Sequence, residues 1–150
     1  MHCLNLPPVD LNIRRQDNKD YVFDRLRKQH VRLTQEEWVR QHFIHYLIHD
    51  KHYPEGLLAN EVCISLGLVT RRCDTVLYDS FLQPRMIIEY KAPSVSISQK
   101  TFDQIMRYNY RLKVPWLIVS NGVKHYCCRV DEGGEVVFMR EVPEWFDSYP

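Results

Sequence analysis

Asp74, Glu89 and Lys91 are the residues of this 150-residue chain whose types and spacing could do chemistry. Glu89 and Lys91 stand two apart in Arg85-Met86-Ile87-Ile88-Glu89-Tyr90-Lys91-Ala92-Pro93, an apolar run rich in β-branched and aromatic residues. Such a run predicts a strand, along which side chains alternate between faces. Glu89 and Lys91 then share one face, and Met86, Ile88 and Tyr90 share the other. Asp74 lies near the start of a neighbouring run, residues 72–79, joined to the first by a polar, proline-containing loop. Two carboxylates brought together can hold a hard divalent cation such as Mg²⁺ through oxygen. A lysine beside them can orient or deprotonate a water, or neutralise charge on a phosphate. Those are the parts that metal-assisted phosphodiester hydrolysis requires. The plainer alternative is a structural Glu89–Lys91 pair on an exposed edge, because burying either charge alone is costly.

The elements that must position these residues follow from pattern. Residues 57–66 predict a first sheet strand, 70–79 a second, and the Glu89 run a third, ended by Ala92-Pro93. Glu61 is a further acid, at an edge or near the site. Thr34-Gln35-Glu36-Glu37 is a capping box that opens a helix running to about Asp50. Val39, Phe43, Tyr46 and Leu47 form the buried face of that helix at helical spacing. Glu36 projects from the same face, whereas Glu37 turns aside to the cap. His42, His45 and His49 line another face; His45 and His49 have a chelating spacing but no intervening Glu, which predicts a solvated or interface face. A second helix from Ser98 or Thr101 to about Leu112 packs through Phe102, Ile105, Met106, Asn109 and Leu112. Thr101, Gln104, Tyr108 and Arg111 form its polar stripe.

Residues 115–120 predict a buried strand after a helical crossover. Asn121-Gly122 predicts a hairpin turn, residues 123–130 the return strand, and 135–139 a last strand. A short helix around Trp145 and Phe146, or a docked tail, completes the chain. Upstream, residues 1–12 read as irregular and wrapped on the domain. The basic stretch 13–32 reads as a solvated strand-and-loop arm, anchored by Tyr21, Phe23, Leu26, Val31 and Leu33; a patch that meets phosphates is its alternative. Together the elements predict one α/β domain over 1–150, with an arm at 1–32, a core at 33–130 and a C-terminal strand and tail at 131–150. Its sheet is mixed and flanked by helices.

Asp74 followed by Glu89-Tyr90-Lys91 resembles the PD-(D/E)XK nuclease superfamily. Arg72-Cys73-Asp74, Ile87-Ile88-Glu89-Tyr90-Lys91-Ala92-Pro93, Gln104-Ile105-Met106-Arg107-Tyr108-Asn109 and Asn121-Gly122 occur in the order expected of the nuclease domain at the N-terminus of type I restriction enzyme R subunits. The resemblance covers residues 33–130, and Gln-x-x-x-Tyr after the Glu-x-Lys strand makes it specific. It implies a restriction-endonuclease-like core, Mg²⁺ (with Mn²⁺ able to substitute) and DNA as partner. Asp74 and Glu89 would be metal ligands, with the Tyr90 carbonyl a possible third oxygen, and Lys91 would support the water. Glu36 would approach the site from the first helix. Gln104 and Tyr108, with Arg111 on the same stripe, would face the DNA backbone. Those R subunits continue into a helicase motor, which this sequence lacks. A catalytically silent nucleic-acid-binding or protein-docking module on the same fold is the competing expectation, and a second copy or a partner chain is a candidate partner beside DNA.

Composition excludes several classes. With 20 Lys+Arg against 19 Asp+Glu, any basic surface must be local. The five cysteines, Cys3, Cys63, Cys73, Cys127 and Cys128, show no Cys-x-x-Cys spacing, which argues against a zinc site or disulfide framework. Cys63, Cys73 and one of the adjacent pair read as small core residues in a reducing cytoplasm. No signal peptide or membrane-spanning run is predicted.

Overall fold

A computed structural model describes residues 3–145. The predicted arm is a sheet of its own. β1 (Ile13–Gln16), β2 (Lys19–Asp24) and β3 (Gln29–Arg32) pair antiparallel in that order. Asp17 and Asn18, both at positive φ (50° and 58°), form the two-residue turn between β1 and β2, a conformation their short polar side chains tolerate. On β2 the buried face is the one opposite to that expected, with Val22 and Asp24 fully buried and Phe23 exposed, while the expected anchors Leu26 and Leu33 do reach the core. Residues 3–12 do wrap the domain. Asn5 N–H donates to the Gly122 carbonyl at 2.8 Å, and Leu4 and Leu6 pack on the core. Gly122 has φ +84°, and a Cβ there would lie 2.7 Å from the Leu4 side chain, so both backbone and space call for glycine.

α1 (Gln35–His49) starts at Thr34, whose hydroxyl accepts from Glu37 N–H at 3.1 Å. Val39, Phe43 and Leu47 are fully buried, as periodicity predicts. Residues 40–44 are also buried in succession, more than one helical turn, so the middle of the helix is covered all round. This corrects the expected histidine face. His42 is buried with Nδ1 2.8 Å from the Trp38 carbonyl, and His45 is half-buried; of the three only His49 is exposed.

The central sheet has the order β4 (Leu58–Leu66), β5 (Val69–Tyr78), β6 (Pro84–Tyr90), β7 (Trp116–Ser120), β8 (His125–Val130), β9 (Val136–Met139). All neighbours are antiparallel except β6 and β7, which are parallel and joined through α2 (Gln99–Leu112). A parallel pair needs such a crossover. The alternation on β6 splits the core into two layers. Met86, Ile88 and Tyr90 join Phe43 and Leu47 of α1, while Ile87 joins Phe102, Ile105 and Leu112 of α2. Each fully buried large aliphatic contributes about 1.5–3 kcal/mol over its exposed state. Glu89, one pleat beyond Ile87, is thereby set on the α2 side. Cys73, Cys127 and Cys128 are buried, but Cys63 is exposed, against expectation. β9 is an edge strand with every residue exposed. The tail docks through Tyr53, whose hydroxyl donates to the Pro143 carbonyl at 2.9 Å and whose ring meets Trp145. Phe146, and so most of the helix expected there, lies outside the described residues. Among the described residues no helix is long and apolar enough to cross a membrane.

Candidate active site

The β5–β6 ladder runs through Leu77–Met86, Val76–Ile87 and Thr75–Ile88, and registers no pair beyond. The next positions, Asp74 and Glu89, stand where the strands part. Asp74 Oδ2 accepts the Tyr90 N–H at 2.9 Å, so a side chain supplies the acceptor that a continuing ladder would have supplied. Glu89 is 9% exposed and lies within hydrogen-bonding reach of Asp74. Burial, and then the Asp74 charge, push the Glu89 carboxyl up to about 8. Two acids sharing a poorly solvated fork repel each other unless a proton or a cation joins them. Lys91 is half-buried on the Glu89 face, and its charge opposes that rise. Its N–H donates to the Ser120 carbonyl at 2.8 Å, prolonging the parallel pairing to the end of β6. The connection that follows is tied down by Asn121, whose Nδ2 donates to the Val95 carbonyl at 2.9 Å.

Arg71 was missed from sequence. Its Nη2 lies 2.6 Å from Glu89 Oε1, its Nη1 donates to Asn109 Oδ1 at 2.9 Å, and its guanidinium sits 5.4 Å from the Tyr108 ring centroid. Alternation on β5 offered no signal for it: Arg71 has the parity of Leu77, which packs on the α1 side, whereas Cys73, of the same parity, packs towards α2, so the strand changes face between Cys73 and Leu77.

Arg40 closes the other side of the fork. It is 5% exposed; its Nη2 lies 2.6 Å from Glu61 Oε1 and 3.8 Å from Asp74 Oδ1. Its Nε is 3.5 Å from Glu37 Oε2. Arg27 bonds both Asp24 and Glu37. The two acids of α1 therefore exchange their expected places. Glu36 is exposed and touches none of the fork residues, whereas Glu37 is buried and held by two arginines. The reason is that Thr34 N–H donates to the Arg32 carbonyl, leaving the Glu37 carboxylate unneeded at the cap, and Arg27 supplies a cation from the preceding sheet. A second buried chain runs from Tyr90 OH to Thr75 (3.0 Å), to Asn60 (2.7 Å), to Asp24 (3.0 Å). The Tyr90 side chain is thus committed on the α1 side, and only its carbonyl could face a cation at the fork.

On α2, Tyr108 reaches the site through Arg71, while Gln104 and Arg111 are exposed one turn to either side. Among the described residues no group of three or more His, Cys, Asp or Glu side chains converges. A cation at the fork would be held by the oxygens of Asp74 and Glu89 and keep several waters, which suits Mg²⁺. Concavities of about 680 and 720 Å³ open elsewhere, around Arg85, Lys113 and Arg129 and beside β9, and neither is lined by Asp74, Glu89 or Lys91.

A six-stranded mixed sheet flanked by two helices is the restriction-endonuclease-like class of α/β fold. The chain belongs to the family described as type I restriction enzyme R protein N terminus (HSDR_N), whose profile matches residues 35–143. It is similar to the fragment structure of a putative HsdR subunit of a type I restriction enzyme from Vibrio vulnificus YJ016, with a TM-score of 0.52 at 17% identity over 77% of this chain and 25% of that one. The cryoEM structure of the DrdV–DNA complex is also similar, with a TM-score of 0.46 at 21% identity over 77% of this chain and 11% of that one. This chain therefore spans about a quarter of the length of the first relative. No curated protein matches it.

Proposed function

We propose that this chain is a Mg²⁺-dependent endonuclease-like domain that hydrolyses DNA phosphodiester bonds. The observation that carries this reading is the meeting of Asp74 and Glu89 at the β5–β6 fork with Lys91 on the Glu89 face. Asp74 and Glu89, with the Tyr90 carbonyl as a third oxygen, would hold the cation; Mn²⁺ would also fit the oxygen set. When bound, Mg²⁺ supplies Lewis-acid polarisation of a phosphoryl oxygen and acidifies a water. Lys91 orients the attacking water and offsets negative charge beside Glu89. Gln104 and Tyr108 hydrogen-bond the DNA backbone, and Arg111 pairs with a phosphate. Asn121 holds the connection after Lys91 in place. Three buried cysteines without disulfides fit a reducing, cytoplasmic setting.

A second reading, a silent nucleic-acid-binding or docking module that works with a partner chain or a second copy, is favoured by one observation: Arg71 already occupies Glu89 Oε1. Supercoiled plasmid at low salt with Mg²⁺ or Mn²⁺ separates the two. Nicking by the wild type that is lost in Lys91→Ala, at unchanged circular dichroism, supports the nuclease. Cleavage retained in Lys91→Ala removes the role given to Lys91. Plasmid binding without cleavage moves the assignment to the module.

A further inference from the structure

Arg71 and Glu89 are both nearly buried, with side chains 13% and 12% exposed, so their 2.6 Å contact is poorly screened. The guanidinium is fixed from two other directions, by Asn109 Oδ1 at 2.9 Å and by the Tyr108 ring. Asn109 is itself 1% exposed, so this support is part of the α2 packing. The cation on Glu89 is thus supplied by the protein itself, at an oxygen that a divalent ion at the fork would need. Tyr108, whose ring lies against the guanidinium, is 42% exposed, so solvent is one ring away from it.

We propose that Arg71 is a latch, an internal counter-cation that holds Glu89 and must leave it before a divalent ion binds there. The released guanidinium, still beside Tyr108, then meets a phosphate of the nucleic acid. Metal and phosphate compete for opposite ends of one ion pair, so each lowers the cost of admitting the other, and by linkage the coupling is reciprocal. This inference rests on the metal-site reading above.

The test is calorimetric titration of Ca²⁺ and Mg²⁺ at pH 9 into full-length wild type, Arg71→Met and Arg71→Lys, without nucleic acid. Deleting a charge-assisted contact that competes with the ion should tighten binding about tenfold or more in Arg71→Met. Arg71→Lys keeps the charge but loses the fork that spans Glu89 and Asn109, and should fall between. If Arg71→Met does not fold, the intermediate tightening of Arg71→Lys decides. Equal affinity in the folded variants and wild type overturns the latch and leaves the metal site standing. Weaker binding also overturns it, by making Arg71 a support of the site. Absence of binding in all three proteins at millimolar ion overturns the metal-site reading itself, and the latch with it. A second readout is the binding of a short duplex to wild type: Ca²⁺ should strengthen it, and Arg71→Met should lose that strengthening.

Discussion

The Tyr90 N–H donates to Asp74 Oδ2 at 2.9 Å across the point where β5 and β6 separate. One carboxylate oxygen is therefore a structural acceptor, and the other is left for Arg40 at 3.8 Å and for an ion. This division separates two substitutions. Asp74→Asn keeps an oxygen for the N–H and should unfold in urea within about 1 kcal/mol of wild type. Asp74→Ala removes the acceptor and should cost about 1–3 kcal/mol. Both should abolish metal binding by calorimetry.

Glu89 gives the protein a pH-dependent stability with a definite sign. Its folded-state pKa of about 8 lies above the ordinary 4.5, so between those values the folded chain holds a proton that the unfolded chain has released. The stabilisation is fully present below the ordinary pKa and is lost as pH rises through about 8. For metal-free protein, urea denaturation from pH 5 to 8 should show stability falling by at most about 1.4 kcal/mol per pH unit from this group. Glu89→Gln should remove that slope and be the more stable protein at pH 8. Saturating Mg²⁺ should oppose the slope in wild type and leave the variant unmoved.

Arg40 is a buried cation facing Glu37, Glu61 and Asp74, which together hold its guanidinium above its usual range despite desolvation. Removing it leaves acids with low exposure facing one another. Arg40→Met should therefore cost about 3–5 kcal/mol in chemical denaturation. The exposed Arg15–Asp20 pair, with side chains 66% and 40% exposed, is the internal control: Arg15→Ala should change stability by less than about 1 kcal/mol.

The central sheet and the Glu89 face of β6 were legible because they depend on local pattern. Alternation alone set Glu89 opposite Tyr90, and the turn and crossover signals set the parallel β6–β7 pair. What escaped the reading depends on contacts distant in sequence. Glu37 points inward because Arg27 waits there from the β2–β3 turn, and no periodicity in α1 announces that. Asp24 is buried by bonds to Leu26 N–H, Arg27 and Asn60, so a polar residue marks the inner face of β2 and reverses the apparent alternation. Arg71 finds Glu89, Asn109 and Tyr108 on three elements at once, a convergence that only the fold supplies.

The family profile begins at residue 35, yet the first sheet, residues 13–32, delivers Arg27 to Glu37 and Asp24 to Asn60. The unit recognised by likeness and the unit that folds are thus not the same length. A fragment cut at residue 35 would open on a buried glutamate stripped of one arginine, and on an asparagine stripped of its acid. Anyone transplanting this domain should carry the preceding hairpins with it, because they form one wall of the room in which Asp74 and Tyr90 meet.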